Sequence, residues 1–470
     1  MAKLWVSALA LLVSAGLWSA PANAQTSDVD DVSSVSRGGQ EGGTSTALDK
    51  KGLAFESEGF SLTLKTRVQF RLTYQNEVGN GNDGTNGRDF VNFRVRRAKT
   101  NFSGHIFEKE FQYNLLLNWV SGGNNIVEEA WFRWAIMQYI NVTAGQTKLQ
   151  YNWEEAVSSG SQQFVERGLV NEAFNQDYAK GITLDGWVGD DVPWLKYWFG
   201  FYNGVLKANN DFRNADWAIN AEVFNDGVVD GDMMINLRLE THPMGEVKRS
   251  MNDMRSEDTR GDILFAFGLG MNWFISGFNN GDLRGDTAAG TPASGRSRTS
   301  QDTLSLTLDG HFRWMGLSVD MAYFYQKTEF HNRGRNKFDV SSRAGIGDIT
   351  NMGFTFDVSY FIIAEMLNVG IRYNILFADD FWQGDRREFG VRPDTTELGL
   401  SVNYYIHGDN LKLTFDLLMV SQQLAFAPGA GTTMLGVYNT PPQRSATSRA
   451  NDAADYNDLW IVRLQLQWIF

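Results

Sequence analysis

The last fourteen residues of the chain hold two interleaved rows. Trp460, Val462, Leu464, Leu466, Trp468 and Phe470 form an unbroken apolar row, and Ile461, Arg463, Gln465, Gln467 and Ile469 between them are mostly polar. Successive side chains of a strand point to opposite faces, so this pattern specifies a strand with a different solvent on each side. Residues 60–75 repeat it. Phe60, Leu62, Leu64, Val68, Phe70, Leu72 and Tyr74 share one face, while Lys65, Arg67, Gln69 and Arg71 share the other. Such strands either bury the apolar row in a sandwich core or turn it to lipid.

The connections choose between these outcomes. Further alternating stretches fall at 90–102, 110–120, 127–135, 139–148, 181–188, 194–204, 232–241, 262–274, 302–313, 316–326, 351–361, 366–377, 396–406 and 411–420, which with the first and last make about sixteen strands. Short links at 315–316, 362–365 and 407–410 alternate with long ones at 76–89, 276–301, 327–350, 378–395 and 421–457. Short turns on one side and long loops on the other predict an all-β fold, a transmembrane antiparallel β-barrel, with residues 59–470 as the barrel domain. An even strand count puts both termini on the periplasmic side. Residues 217–224 also alternate; they are assigned to the loop after 204, because counting them would make the number odd. Aromatic pairs (Trp131/Trp134, Trp194/Trp198, Tyr323/Tyr325, Tyr404/Tyr405, Trp460/Trp468) are placed as interfacial girdles.

The N-terminal end agrees. Lys3, an apolar run from 4 to 17 and Ala22-Asn23-Ala24 have the parts of a secretory signal, so residues 1–24 are expected to be removed. Residues 25–58, rich in Ser, Gly and Asp, are expected to form a flexible periplasmic leader. No later apolar run approaches the roughly 20 residues a spanning helix needs. The chain has no Cys, which excludes a lipid-anchored Cys, a disulfide framework and any thiolate metal site. A net charge of −13 argues against a nucleic-acid partner, whose phosphates need basic surface.

Between residues 148 and 181 the alternation stops for about thirty residues, and long irregular connections of this kind carry function or are disordered. The stretch contains Trp153-Glu154-Glu155-Ala156-Val157-Ser158-Ser159 and then Phe164-Val165-Glu166-Arg167. With Gly145-Gln146 before it, Arg67, the Arg96-Arg97-Ala98 run and Glu128-Glu129-Ala130, it resembles the phosphate-selective porin O/P family. The resemblance is clearest over 60–188. It implies a sixteen-stranded, usually homotrimeric outer-membrane porin, in which a constriction loop after strand 5 folds inward and small hydrophilic solutes diffuse passively. Carried over, Arg67, Arg96 and Arg97 would line the anion path. The lumen-facing cations Lys65, Arg67, Arg71, Arg94 and Arg96 either guide anions or are structural, pairing with acids on the inward loop. Ser158 and Ser159 would supply hydroxyls at the constriction with Glu128 opposite, Arg167 would tether the loop or face the lumen, and Glu154 and Glu166 lie in the same loop. One position departs: phosphate-selective members carry a Lys where this chain has Glu155. That leaves a non-selective or cation-tolerant channel as the alternative, unless a neighbour such as Arg97 or Lys148 neutralises the carboxylate.

Other classes have less behind them. The five histidines (His105, His242, His311, His331, His407) are scattered, with neither G-x-S-x-G nor H-E-x-x-H to make a hydrolase. His311 near Asp309 is the one pairing of note. Asn80-Gly81-Asn82-Asp83-Gly84 lacks the spaced acids of a calcium loop and reads as a solvated turn, as do Glu154-Glu155 and Asp379-Asp380. No cofactor and no metal are expected. A plugged structural or adhesion barrel is the remaining alternative; a polar lumen row and a single inward loop favour an open channel. Lipid surrounds such a barrel, and Arg333, Arg335, Lys337 and Arg343 either meet lipopolysaccharide phosphates or are solvated loop charge.

Overall fold

A computed structural model of the chain describes residues 45–49, 52–78, 88–120, 126–175, 177–190, 192–202, 220–224, 227–230, 233–255, 257–275, 299–331, 349–377, 395–423 and 456–470. A hairpin of β1 (Ser45–Asp49) and β2 (Gly52–Ser57) comes first. It leads into β3 (Phe60–Val78), β4 (Arg88–Ile106), β5 (Glu108–Asn118), β6 (Val127–Met137), β7 (Ile140–Lys148), β8 (Tyr178–Val188) and β9 (Leu195–Tyr202). A second hairpin, β10 (Asn220–Phe224) with β11 (Gly227–Asp230), precedes β12 (Met233–Thr241), β13 (Leu264–Ile275), β14 (Thr299–Trp314) and β15 (Leu317–His331). The chain ends with β16 (Ile349–Ile363), β17 (Leu367–Phe377), β18 (Thr395–His407), β19 (Leu411–Gln423) and β20 (Tyr456–Ile469). Of these twenty strands four lie in the hairpins, and the other sixteen form a ring in which each is antiparallel to its neighbours. β9 pairs directly with β12, so β10 and β11 stay in the connection, as the parity argument requires.

The ring closes between β20 and β3, with Ile469 opposite Arg67 and Asp458 opposite Val78. Closure leaves no strand edge unpaired, the condition for placing backbone amides in hydrocarbon. Beyond the reach of β20, the start of β3 is covered instead by β2, Leu53 opposite Leu64 and Ser57 opposite Phe60. Residues 45–49 and 52–57, expected as part of a flexible leader, therefore form paired strands that continue the sheet. The expected signal at 1–24 and residues 25–44 of the leader lie outside the described residues.

Burial along the strands is inverted relative to a water-soluble protein. In β18 the exposed row is Leu398, Leu400, Val402, Tyr404 and Ile406, while Glu397, Gly399, Ser401 and Asn403 are buried. β20 repeats this, with Trp460, Leu466, Trp468 and Phe470 outward and Arg463, Gln465 and Gln467 buried. Apolar residues outside and polar ones inside are a barrel in lipid, and a sandwich would show the reverse.

Candidate functional site: the segments inside the ring

Residues 149–177, the connection after the fifth ring strand, do not stand away from the barrel. Their backbone and side chains meet inward-facing groups of strands all round it. Asn236 Nδ2 of β12 donates to the Gln150 carbonyl (2.8 Å) and Arg238 Nη1 to that of Tyr151 (2.9 Å). From β17, Arg372 Nη1 donates to the Glu166 carbonyl (3.0 Å), and from β18, Asn403 Nδ2 donates to that of Gln163 (2.8 Å). From β20, Gln467 Nε2 donates to the Gly160 carbonyl (2.9 Å). Two short helices, α1 (Trp153–Ala156) and α2 (Leu169–Phe174), stiffen the segment, and the Asn152 side chain caps α1 at the Glu155 amide. Apolar contacts add to the seat. Tyr151, Val170 and Phe174 pack with Phe324 and Leu376, and Phe164 packs with Leu418, Val420, Leu459 and Ile461. Leu459 and Ile461, apolar members of the inward row of β20, are explained by that contact.

The arginines gather on the inner wall of β3 and β4. Strict alternation would send Arg96 and Arg97 to opposite faces. A β-bulge prevents this: Gln69 pairs with Arg97 and Phe70 with Val95, so Arg96 is the extra residue. Both guanidinium groups then reach Glu166, Arg96 Nε to Oε1 at 2.6 Å and Arg97 Nη2 to Oε2 at 2.7 Å, and Arg71 Nη1 joins them on Oε1 at 2.6 Å. Burial by itself would raise the Glu166 carboxyl, but Arg71, Arg97 and Arg96 outweigh it and hold it well below the usual carboxylate range. Arg94 is exposed on the same inward row, opposite Arg71, and no carboxylate among the described residues pairs with it. Arg67 donates to the Ser158 hydroxyl at 2.8 Å, and Lys65 faces Asn101 across the ladder. A second bulge, with Leu116 opposite Glu129 and Leu117 opposite Val127, inserts Glu128. Glu128 binds Lys99, Asn118 and Tyr178. The Ser159 carbonyl accepts from Gln69 Nε2 at 3.1 Å.

Glu155, the residue that departs from the family pattern, is buried and compensated. Its carboxylate meets Arg167 Nε at 3.2 Å and Lys148 Nζ at 3.5 Å, and accepts from Asn171 Nδ2 at 3.2 Å. Arg167 is a tether: it also donates to the carbonyls of Glu154, Glu155 and Val157. Glu154 accepts from Arg372 Nη2 (2.9 Å) and from the Gly168 amide (2.8 Å). Burial pushes its carboxyl up to about 7, against the pull of Arg372 and with a push from Asp357. The Glu154-Glu155 pair is thus built into the fold rather than solvated.

A second inward segment went unseen in the sequence. Residues 242–263, between β12 and β13, lie at the end of the ring opposite to 149–177 and yet reach it. Val247 and Met251 pack with Trp153, Val157 and Ala266, and the Met251 amide donates to the Ser161 carbonyl at 3.3 Å. Across the ring, Asn252 donates to the Tyr405 hydroxyl (2.6 Å) and accepts from Ser359 (2.9 Å). Arg249 lies over the rings of Trp198 (4.9 Å) and Trp153 (5.6 Å) and pairs with Glu240 at 2.7 Å. The expectation of a single inward loop is therefore corrected to two inward segments that touch. His311 stacks on Trp153 (4.2 Å) and is held by Asp309 (2.8 Å) and Asp320 (2.6 Å), two carboxylates that leave neither ring nitrogen for a nucleophile. Residues 80–84, Asp379, Asp380 and the basic residues Arg333, Arg335, Lys337 and Arg343 lie outside the described residues.

The sequence profile of phosphate-selective porins O and P matches residues 64–222, the stretch that carries both bulges and the first inward segment. The chain is an outer-membrane porin related to that family. Among solved structures the porin is similar to an anion-selective porin from Comamonas acidovorans, at 11% identity over 87% of this chain and 100% of the other, with a TM-score of 0.50. The outer-membrane channel DcaP of Acinetobacter baumannii covers 88% of this chain and 98% of its own, at 11% identity and a TM-score of 0.49. At such identities the likeness concerns the fold. No curated protein matches. The porin forms a channel for small solutes across the outer membrane.

Proposed function

We propose that this channel prefers anions and that residues 149–177 narrow its path. One observation carries the reading: Arg67, Arg71, Arg94, Arg96 and Arg97 stand on two adjacent inward rows, and among the described residues Glu166 is the carboxylate that forms ion pairs with the group. The arginines outnumber the carboxylates that act on them, Glu166 with Glu128 and Glu172, and local charge along the path decides which ions enter. Guanidinium forks suit oxyanions, and several sites in series let an ion arrive and leave. The ground for a cation-tolerant channel weakens, because Glu155 is turned into Lys148 and Arg167 rather than toward the path. Export by the signal at 1–24, supported by its sequence pattern, contact with lipopolysaccharide, supported by the basic residues 333–343, and three-fold assembly, which rests on the resemblance, belong to the same proposal.

Reversal potentials across planar bilayers test it. In a potassium chloride gradient the wild type should show anion preference, and Arg67→Glu with Arg96→Glu should move the potential toward cations. A wild type that prefers cations contradicts the proposal, and absence of stepwise currents favours a closed structural barrel.

A further inference from the structure

The Glu166 carboxylate sits in a seat with the chemistry of an oxyanion site. Three guanidinium groups from two adjacent strands converge on its two oxygens at 2.6–2.7 Å. Two of the three are braced without it. Arg97 Nη1 donates to Gln69 Oε1 at 3.1 Å. Arg71 donates to Gln465 Oε1 at 2.8 and 3.1 Å and to the Val165 carbonyl at 3.2 Å. The third, Arg96, is in place only because the bulge inserts it. Holding the segment does not require this arrangement, since Asn236, Arg238, Arg372, Asn403 and Gln467 already bind its backbone from other strands. Glu166 is also not sealed off: its side chain retains 17% exposure, and that of Arg96 retains 34%. Exposed Arg94 stands next on the row.

We propose that Glu166 is a resident surrogate ligand. Its carboxylate occupies the seat of Arg71, Arg96 and Arg97, and a passing small oxyanion of the phosphate, sulfate or carboxylate class takes that seat by displacing it. This rests on the anion-conducting reading above and adds regulation of the same site. A bare triple-guanidinium seat would hold an oxyanion tightly and slow its release; an internal competitor weakens the hold and keeps the step passable.

Phosphate-titrated single-channel conductance of the full-length porin, with Glu166→Gln and Glu166→Asp beside wild type, tests this. Loss of the competing charge in Glu166→Gln should lower the half-saturating phosphate concentration by roughly tenfold or more. Glu166→Asp, which keeps the charge one methylene short of the seat, should fall between. Uptake of an uncharged sugar into proteoliposomes separates loss of the competing charge from a loosened segment. An unmoved half-saturation in both variants overturns the proposal, and so does a rise in sugar uptake without a change in half-saturation, which marks Glu166 as a tether only. Should Glu166→Gln fail to fold, an unmoved Glu166→Asp overturns it alone. A cation-preferring wild type would contradict the proposed function itself, whereas an anion-preferring wild type with unmoved variants contradicts only the surrogate.

Discussion

At Arg96 the alternation of β4 slips by one residue, and that slip sets the charge of the inner wall. The sequence places Arg96 and Arg97 together by resemblance, although period-two reasoning separates them. The bulge reconciles the two, and it was illegible because a bulge depends on the register of the partner strand, not on the bulged segment. The same holds for Glu128 and Glu129. Glu155 was legible as a departure, yet its meaning depended on Lys148 and Arg167 arriving beside it. Replacing it should therefore be costly: Glu155→Lys would gather three buried cations, and even Glu155→Gln should destabilise the segment by about 3–5 kcal/mol, the range for breaking one partner out of a buried pair. Thermal unfolding followed by heat-modifiable gel mobility measures this, and a wild-type midpoint in Glu155→Lys would contradict it. Glu154 gives a pH effect of known sign. Its carboxyl is raised in the folded protein, so folding favours the protonated form, and that stabilisation is complete below the ordinary carboxylate range and is lost as pH rises through about 7. The docked segment should be firmer at pH 5 than at pH 8. Glu154→Gln should flatten the difference in protease protection of 149–177, and an unchanged slope would assign it elsewhere.

At the scale of elements, residues 149–177 were legible as the segment apart, because their lack of alternation stands out among strands on either side. Residues 242–263 were not. They follow a strand and precede one, as a turn should, and nothing in their composition tells that Val247 and Met251 find Trp153 inside the ring. Deleting 246–252 should raise single-channel conductance by opening the end opposite to 149–177, and a conductance equal to wild type would show that this segment does not limit flow. Glycines on the inner wall make room for the first segment. A Cβ at Gly399 would meet Leu418 Cδ2 at 2.7 Å and Phe164 Cε1 at 2.8 Å, and one at Gly270 would collide with the Tyr151 carbonyl oxygen. Gly399→Val should displace Phe164, cost about 1–3 kcal/mol as overpacking does, and enlarge the conducting path. Unaltered conductance and stability together would contradict the seating role.

For the whole molecule, the barrel was legible because every ring strand carries its own record of two solvents, and sixteen such records agree. Closure between β20 and β3 followed from the parity of the count. The hairpin β1–β2 did not, since its residues read as a polar Ser/Gly/Asp stretch and are ordered by the free edge of β3. The claim beneath all of this is that one face of each strand meets water and the other lipid. The absence of cysteine allows a clean test on neighbouring residues of β4, exposed Arg94 on the inward row and Phe93, 78% exposed on the outward row. With a charged, membrane-impermeant thiosulfonate added during bilayer recording, Arg94→Cys should lose conductance in discrete steps while Phe93→Cys stays unchanged. Block of Phe93→Cys with Arg94→Cys untouched would contradict it.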